Sequence, residues 1–136
     1  MALLTKRMKE IFAQQKIFVL GTADPNGVPN VVPVGAIRIL DDSTILVSDQ
    51  FFNKTLKNLK KNPRVAISFW NESEGYQIKG RAKIYTEGKI FEETAAWVHK
   101  MGEEMGVPLK SKGAVVIKIT AIYSVSPGPD AGRRLA

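Results

Sequence analysis

The sequence predicts a mainly β fold, in which six mainly antiparallel strands curl into a closed or partly open barrel with flanking helices. Three observations carry this. Apolar runs are joined in pairs by turn chemistry, at Asp24-Pro25-Asn26-Gly27 and at Asn71 to Gly75. Tyr76 to Tyr85 alternates apolar and polar residues with a period of two. Helical spacing is confined to three stretches, too few to build an all-helical core.

The first helix covers about residues 4 to 15, because Leu4, Met8, Ile11 and Phe12 fall on one helical face. Ile17 to Thr22 forms the first strand and the run from Val28 to Leu40 the second. Pro29 and Pro33 lack backbone donors, so they must sit at an edge, a bulge or a splayed position. Asp41-Asp42-Ser43 turns the chain into a third strand, Thr44 to Ser48. Phe52, Leu56 and Leu59 mark a short helix that Pro63 stops. Arg64 to Trp70 and Tyr76 to Tyr85 pair as a second hairpin. On the latter strand Tyr76, Ile78, Gly80, Ala82 and Ile84 make a core face, while Gln77, Lys79, Arg81, Lys83 and Tyr85 make a basic one. Phe91, Ala95, Val98, Met101 and Met105 predict a helix over residues 89 to 105, and Ala114 to Ser124 is the sixth strand. The tail from Ser126 to Ala136, rich in Pro and Gly, is expected to be loosely structured.

At 136 residues the chain has the length of a single domain with one core. With no cysteine there is no disulfide framework, thiolate metal cluster or cysteine nucleophile, and His99 alone leaves no histidine partner for zinc. No apolar run reaches the roughly 20 residues of a membrane-spanning helix, so a cytoplasmic protein without membrane partners is expected. Twenty Lys and Arg against thirteen Asp and Glu give a net charge of +7, which suits a phosphate-bearing ligand or a nucleic-acid surface.

The most informative stretch is Ser48-Asp49-Gln50-Phe51-Phe52-Asn53-Lys54-Thr55, a strand end leading into a helix start. Free N–H groups of a first helical turn, with the positive end of its dipole, attract phosphate. Asn53 is the expected cap, Thr55 adds a hydroxyl and Lys54 a full charge. The alternative is an ordinary capped surface helix whose solvated face carries Lys54, Lys57, Lys60 and Lys61. The basic face from Gln77 to Lys83 favours a nearby anion, although its charges could fan apart in solvent.

These residues bring a resemblance with them. Ala23 to Asn30 leading to Val32-Pro33-Val34-Gly35, the Asp49 to Asn58 segment with Asn53-Lys54-Thr55, Asn62 to Ala66, and Gly75-Tyr76-Gln77-Ile78-Lys79-Gly80 together resemble the flavin mononucleotide-binding split-barrel proteins related to pyridoxamine 5′-phosphate oxidase. The resemblance covers nearly the whole chain. It implies a six-stranded antiparallel split β-barrel of Greek-key type and flavin mononucleotide (FMN) as cofactor. It further implies that Val32, Pro33, Val34 and Gly35, with the strand end Val47, Ser48 and Asp49, line the isoalloxazine ring largely through backbone groups. Lys54 and Thr55 would bind the phosphate with support from Asn58, and Gln77 and Lys79 would approach the flavin from the next strand. The implied assembly is a homodimer with the flavin at the subunit interface, the Lys110 to Lys112 region or the tail reaching the partner's site.

The chain is much shorter than pyridoxamine 5′-phosphate oxidase itself and lacks a C-terminal segment bearing Arg and His, so a different substrate is expected. The leading function is a flavin-dependent oxidoreductase working with a small-molecule electron donor or acceptor. The alternative is a flavin-binding module without turnover, an electron carrier, store or sensor, since no side chain stands out as a general acid or base. A nucleic-acid-binding barrel, with Lys79, Arg81 and Lys83 tracking phosphates, ranks third because aromatics on that face are few. Trp97 is assigned to the core and His99 to the surface.

Overall fold

The run read as one strand from Val28 to Leu40 divides in two, and this division shapes the molecule. In the computed structural model, which describes residues 2–136, β1 (Phe18–Ala23) pairs with β2 (Pro29–Val34), while β3 (Ile37–Asp41) pairs with β4 (Thr44–Asp49). Between β2 and β3 lie only Gly35 and Ala36. The remaining elements are α1 (Lys6–Ala13), α2 (Lys54–Lys61), β5 (Arg64–Trp70), β6 (Gly75–Tyr85), α3 (Lys89–Met105) and β7 (Gly113–Ser124). The strand count is therefore seven rather than the six expected, and every ladder is antiparallel.

The strands form one sheet in the order β2-β1-β5-β6-β7-β4-β3, so two strands adjacent in sequence lie at opposite edges. Six inter-strand spacings of about 4.8 Å would put those edges roughly 29 Å apart in a flat sheet. The three residue steps from Val34 to Ile37 span at most about 11 Å. The sheet must curl until its edges almost meet, giving a barrel split along the β2/β3 seam.

The seam stays open for a reason visible in β2. Pro29 and Pro33 oppose Ala23 and Val19 of β1. Neither can donate to that ladder, so Asn30, Val32 and Val34 make the bonds to β1 and the odd-numbered positions turn their backbone groups to the free edge. Two of the three odd positions there carry no N–H, and the edge cannot zip onto β3.

The core fills the curl. Leu20, Ile45, Val47, Ile67, Phe69, Ile78, Val115, Ile117 and Ile122 are sealed from solvent. α1 closes one end: Thr5 caps it by accepting from the Met8 N–H at 3.2 Å. Met8, Ile11 and Phe12 point inward, and Phe12 lies 4.3 Å from Phe18 and 5.4 Å edge-on from Phe69, centroid to centroid. Arg7 of α1 also grips the β5–β6 hairpin, its Nε donating to Glu74 Oε1 at 2.9 Å.

α2 and α3 each bury a face one step away from the apolar stripe read in the sequence. α2 buries Thr55, Asn58 and Leu59, with Phe52 lying before the helix and Leu56 half-exposed. α3, lying over β7, buries Thr94, Val98 and Gly102, and Met105 is 64% exposed. Gly102 is required there because a Cβ would lie 2.6 Å from the Val107 carbonyl oxygen. Trp97 is half-buried, with the Arg38 guanidinium carbon 4.5 Å from its ring centre, rather than a core residue.

The tail expected to be loose folds back along the end of β7. Leu135 donates to the Ile122 carbonyl at 2.8 Å, Ser124 to that of Arg133 at 2.9 Å, and Ala136 packs on the core. Its glycines supply the turn, with Gly128 and Gly132 at positive φ. Among the described residues no helix is long and apolar enough to cross a membrane.

Candidate functional site

A cleft of about 200 Å³ opens at the seam, where the Gly35-Ala36 crossing passes the end of β4 and the start of α2. One wall is the β2 edge with Val32, Pro33, Val34 and Gly35; the other runs from Ser48 through Gln50, Phe51, Phe52 and Asn53 to Lys54 and Thr55. The crossing is pinned to β4 by the Ser48 N–H, which donates to the Ala36 carbonyl at 2.9 Å.

The loop from Gln50 to Asn53 is shaped by a buried carboxylate beneath it. Asp49, 2% exposed, accepts from the Phe52 N–H at 3.0 Å, and Lys112 Nζ stands 3.8 Å from the same oxygen. The Lys112 N–H donates to the Asp49 carbonyl at 2.7 Å. Ser48 Oγ donates to Ser111 Oγ at 2.7 Å, and Ser111 to the Gly113 carbonyl at 3.0 Å. Lys112 thus braces the loop of its own chain.

The helix start differs from the expected cap in an instructive way. Asn53 occupies the cap position but its side chain makes no capping bond, so it does not shield the N–H groups of the first turn. Thr55 turns under the helix, 1% exposed, and its Oγ1 accepts from Asn30 Nδ2 at 3.0 Å. That bond uses the oxygen as acceptor and leaves its proton to donate. Asn58 Nδ2 donates to Thr22 Oγ1 at 3.0 Å, and Asn30 Nδ2 reaches the same oxygen at 3.4 Å. These four polar side chains, invisible as a group in the sequence, tie α2 to β1 and β2.

Of the twelve candidate residues, the cleft gathers Val32, Pro33, Val34, Gly35, Ser48, Lys54 and Thr55. Val47 lies in the sealed core, Asp49 beneath the loop, and Asn58 in the polar network behind Thr55. Gln77 and Lys79 are on the outer face of β6, opposite Ser68 and Ala66 of β5, away from this cleft. The cleft adds Gln50, whose Nε2 is buried without a hydrogen-bond partner, and Phe51, 85% exposed at its mouth. A buried orphan amide and an exposed phenyl carry no sequence signal of their own; position in the loop alone could have flagged them.

The arrangement offers several donors to an anion. First-turn N–H groups, the Lys54 ammonium and the Thr55 hydroxyl are all donors, as an oxyanion requires. The β2 wall offers carbonyl acceptors and, at Pro33, no N–H. Among the described residues no three His, Cys, Asp or Glu side chains cluster to hold a metal.

The chain is similar to several known proteins. Residues 4–126 match the family model described as pyridoxamine 5′-phosphate oxidase. An uncharacterized protein of Methanocaldococcus jannaschii is 43% identical over 98% of this chain and 88% of its own. Among solved structures, HupZ of Group A Streptococcus superposes with a TM-score of 0.80 at 27% identity, over 96% of this chain and all of that one. An FMN-binding protein of Syntrophomonas wolfei gives 0.72 at 21% identity, over 85% of this chain and 81% of its own. HutZ, a heme storage protein of Vibrio cholerae, gives 0.62 at 19%, over 90% and 94%.

Proposed function

The chain belongs to the pyridoxamine 5′-phosphate oxidase family, and from that premise we propose that it binds FMN in the seam cleft, with the phosphate on the first turn of α2. The observation that carries this is the uncapped helix start opening beside the Lys54 ammonium and the Thr55 hydroxyl. The chemistry supplied by the flavin would be electron or hydride transfer. The protein's own contribution is binding and orientation, since among the described residues Lys54 is the only ionisable one lining the cleft. That is compatible with an oxidoreductase, and equally with an electron carrier, store or sensor.

The cleft's 200 Å³ falls below the roughly 300 to 1,000 Å³ of small-molecule sites, enough for a phosphate and chain but not for a whole flavin. The rest needs cover from elsewhere. We propose that a second copy of the chain supplies it, which also suits Phe51, exposed at the cleft mouth.

Heme is the competing ligand, because HutZ shares the fold. Among the described residues no His, Cys, Met or Tyr lines the cleft to ligate iron, and His99 lies out on α3 with its Nε2 2.7 Å from Glu103. Titration with FMN, riboflavin and hemin, followed by absorbance and flavin fluorescence, tests the reading. FMN is expected to bind most tightly; hemin binding with no flavin binding would overturn it. NADH and NADPH assays on the loaded protein then separate turnover from storage, and sedimentation with and without FMN tests the dimer.

A further inference from the structure

A second concavity, about 670 Å³, lies on the outer face of β1, β5 and β6, separated from the cleft by the polar network. Asn30 lines it and donates through the wall to Thr55. We infer that this groove is a second anion site, taking a small molecule that carries two or more phosphate or carboxylate groups.

The first argument is electrostatic. Arg64 and Arg81 are directly opposed in the β5–β6 ladder, and Lys79 opposes Ala66, one diagonal step from Arg64. All three side chains are exposed and line the groove. Like charges opposed across an antiparallel pair are unfavourable. Carboxylates commonly relieve such a clash, yet among the described residues none lines the groove. Among the described residues none forms an ion pair with Arg64, Lys79 or Arg81. An anionic ligand would supply the missing charge.

The second argument is the wall chemistry. Asn62 accepts from the Arg64 N–H at 3.1 Å through its Oδ1, which leaves the amide NH2 to donate. Thr120 adds a hydroxyl. Two guanidinium groups, an ammonium and neutral donors around one hollow suit a compact polyanion, with arginine able to grip it bidentately. The hollow is within the usual size of small-molecule sites. A nucleic-acid strand is less well served, because among the described residues no aromatic lines the groove to stack a base.

Calorimetry on the full chain tests this with tripolyphosphate, citrate and a twelve-residue oligothymidylate. Wild type is compared with Arg64→Gln, Arg81→Gln and Lys89→Gln, the last a remote control of equal charge change. Tripolyphosphate should bind wild type, weaken about tenfold or more in each arginine variant, and stay within about twofold in Lys89→Gln. Comparable citrate affinity would mark the site as general for polyanions, and tighter tripolyphosphate as selective for phosphate; either supports it. No binding to wild type, equal weakening in Lys89→Gln, or tighter binding of the oligonucleotide would each overturn it. Repeating the titration in Lys54→Ala keeps the two sites apart: persistence of binding supports a separate groove, and its loss would reduce the groove to part of the cleft. FMN affinity in Arg64→Gln and Arg81→Gln, expected within about twofold of wild type, is read independently, so the flavin reading can fail while this one stands.

Discussion

Replacing Thr55 by Val removes one hydroxyl from the cleft without changing the shape of a residue that is 1% exposed. No cavity forms, so the cost to folding is confined to Asn30, whose Nδ2 loses its 3.0 Å acceptor and keeps Thr22 Oγ1 at 3.4 Å. Asn30 is only half-buried, which puts that cost at about 1 kcal/mol, the low end for a lost hydrogen bond. The cost to phosphate binding is larger, about 1.5 to 3 kcal/mol for a bond to a charged acceptor, or about 10- to 150-fold in affinity. Riboflavin, which has no phosphate, should lose less than about threefold. Fluorescence titration of both flavins against wild type and Thr55→Val measures the difference directly. Equal losses for the two flavins, or equal wild-type affinities, would refute the phosphate assignment, because the Thr55 effect would then come from the ring end or from disturbed folding.

Three further results are expected. Gly80→Ala places a Cβ 2.6 Å from Ile117 Cγ2 and 2.7 Å from the Lys118 carbonyl, at the bulge between β6 and β7; a loss of about 1 to 3 kcal/mol should appear as a lower denaturation midpoint in urea. Asn53→Ala should leave stability unchanged, unlike the roughly 1 kcal/mol lost at a working cap, because the Asn53 side chain makes no capping bond; a drop in thermal midpoint would show a bond that forms in solution. Glu74 is held below its ordinary value of 4.5 chiefly by its hydrogen bonds from Arg7. A carboxylate with a depressed folded pKa stabilises above its unfolded value and loses that contribution as pH falls through the folded one. Stability should therefore decline below about pH 4.5 more steeply in wild type than in Glu74→Gln, as measured by urea unfolding across that range.

The hairpins, the helices and the alternation of β6 were legible because each depends on local periodicity and turn residues. The break at Gly35-Ala36 was not, since an apolar run reads the same whether it makes one strand or two; only the closure of the sheet decides. The faces of α2 and α3 were displaced for a related reason. Leu56 looked like the inward residue, but Thr55 and Asn58 go under because Asn30 and Thr22 stand ready to satisfy them. A buried polar face has no hydrophobic signature, and its partners are 25 and 36 residues away. Lys54 and Thr55 stand out from what a helix start does to anions, and both line the cleft; nothing local in the sequence ties Gln77 and Lys79 to it, and they lie on the outer face of β6.

The cleft exists because the barrel fails to close. Prolines at positions 29 and 33 withhold the donors that β3 would need, and a two-residue crossing holds the unbonded edges close together. Edge protection and site formation are one device here: the same missing N–H groups that prevent a seventh ladder leave backbone acceptors facing the cleft. Had either proline been a residue with an N–H, the edge would gain a donor facing the seam, and pairing with β3 would compete for the space of the cleft. The uncapped α2 start follows the same logic. Its first turn is left without a capping side chain, and the ligand proposed for the cleft is the one that can satisfy it.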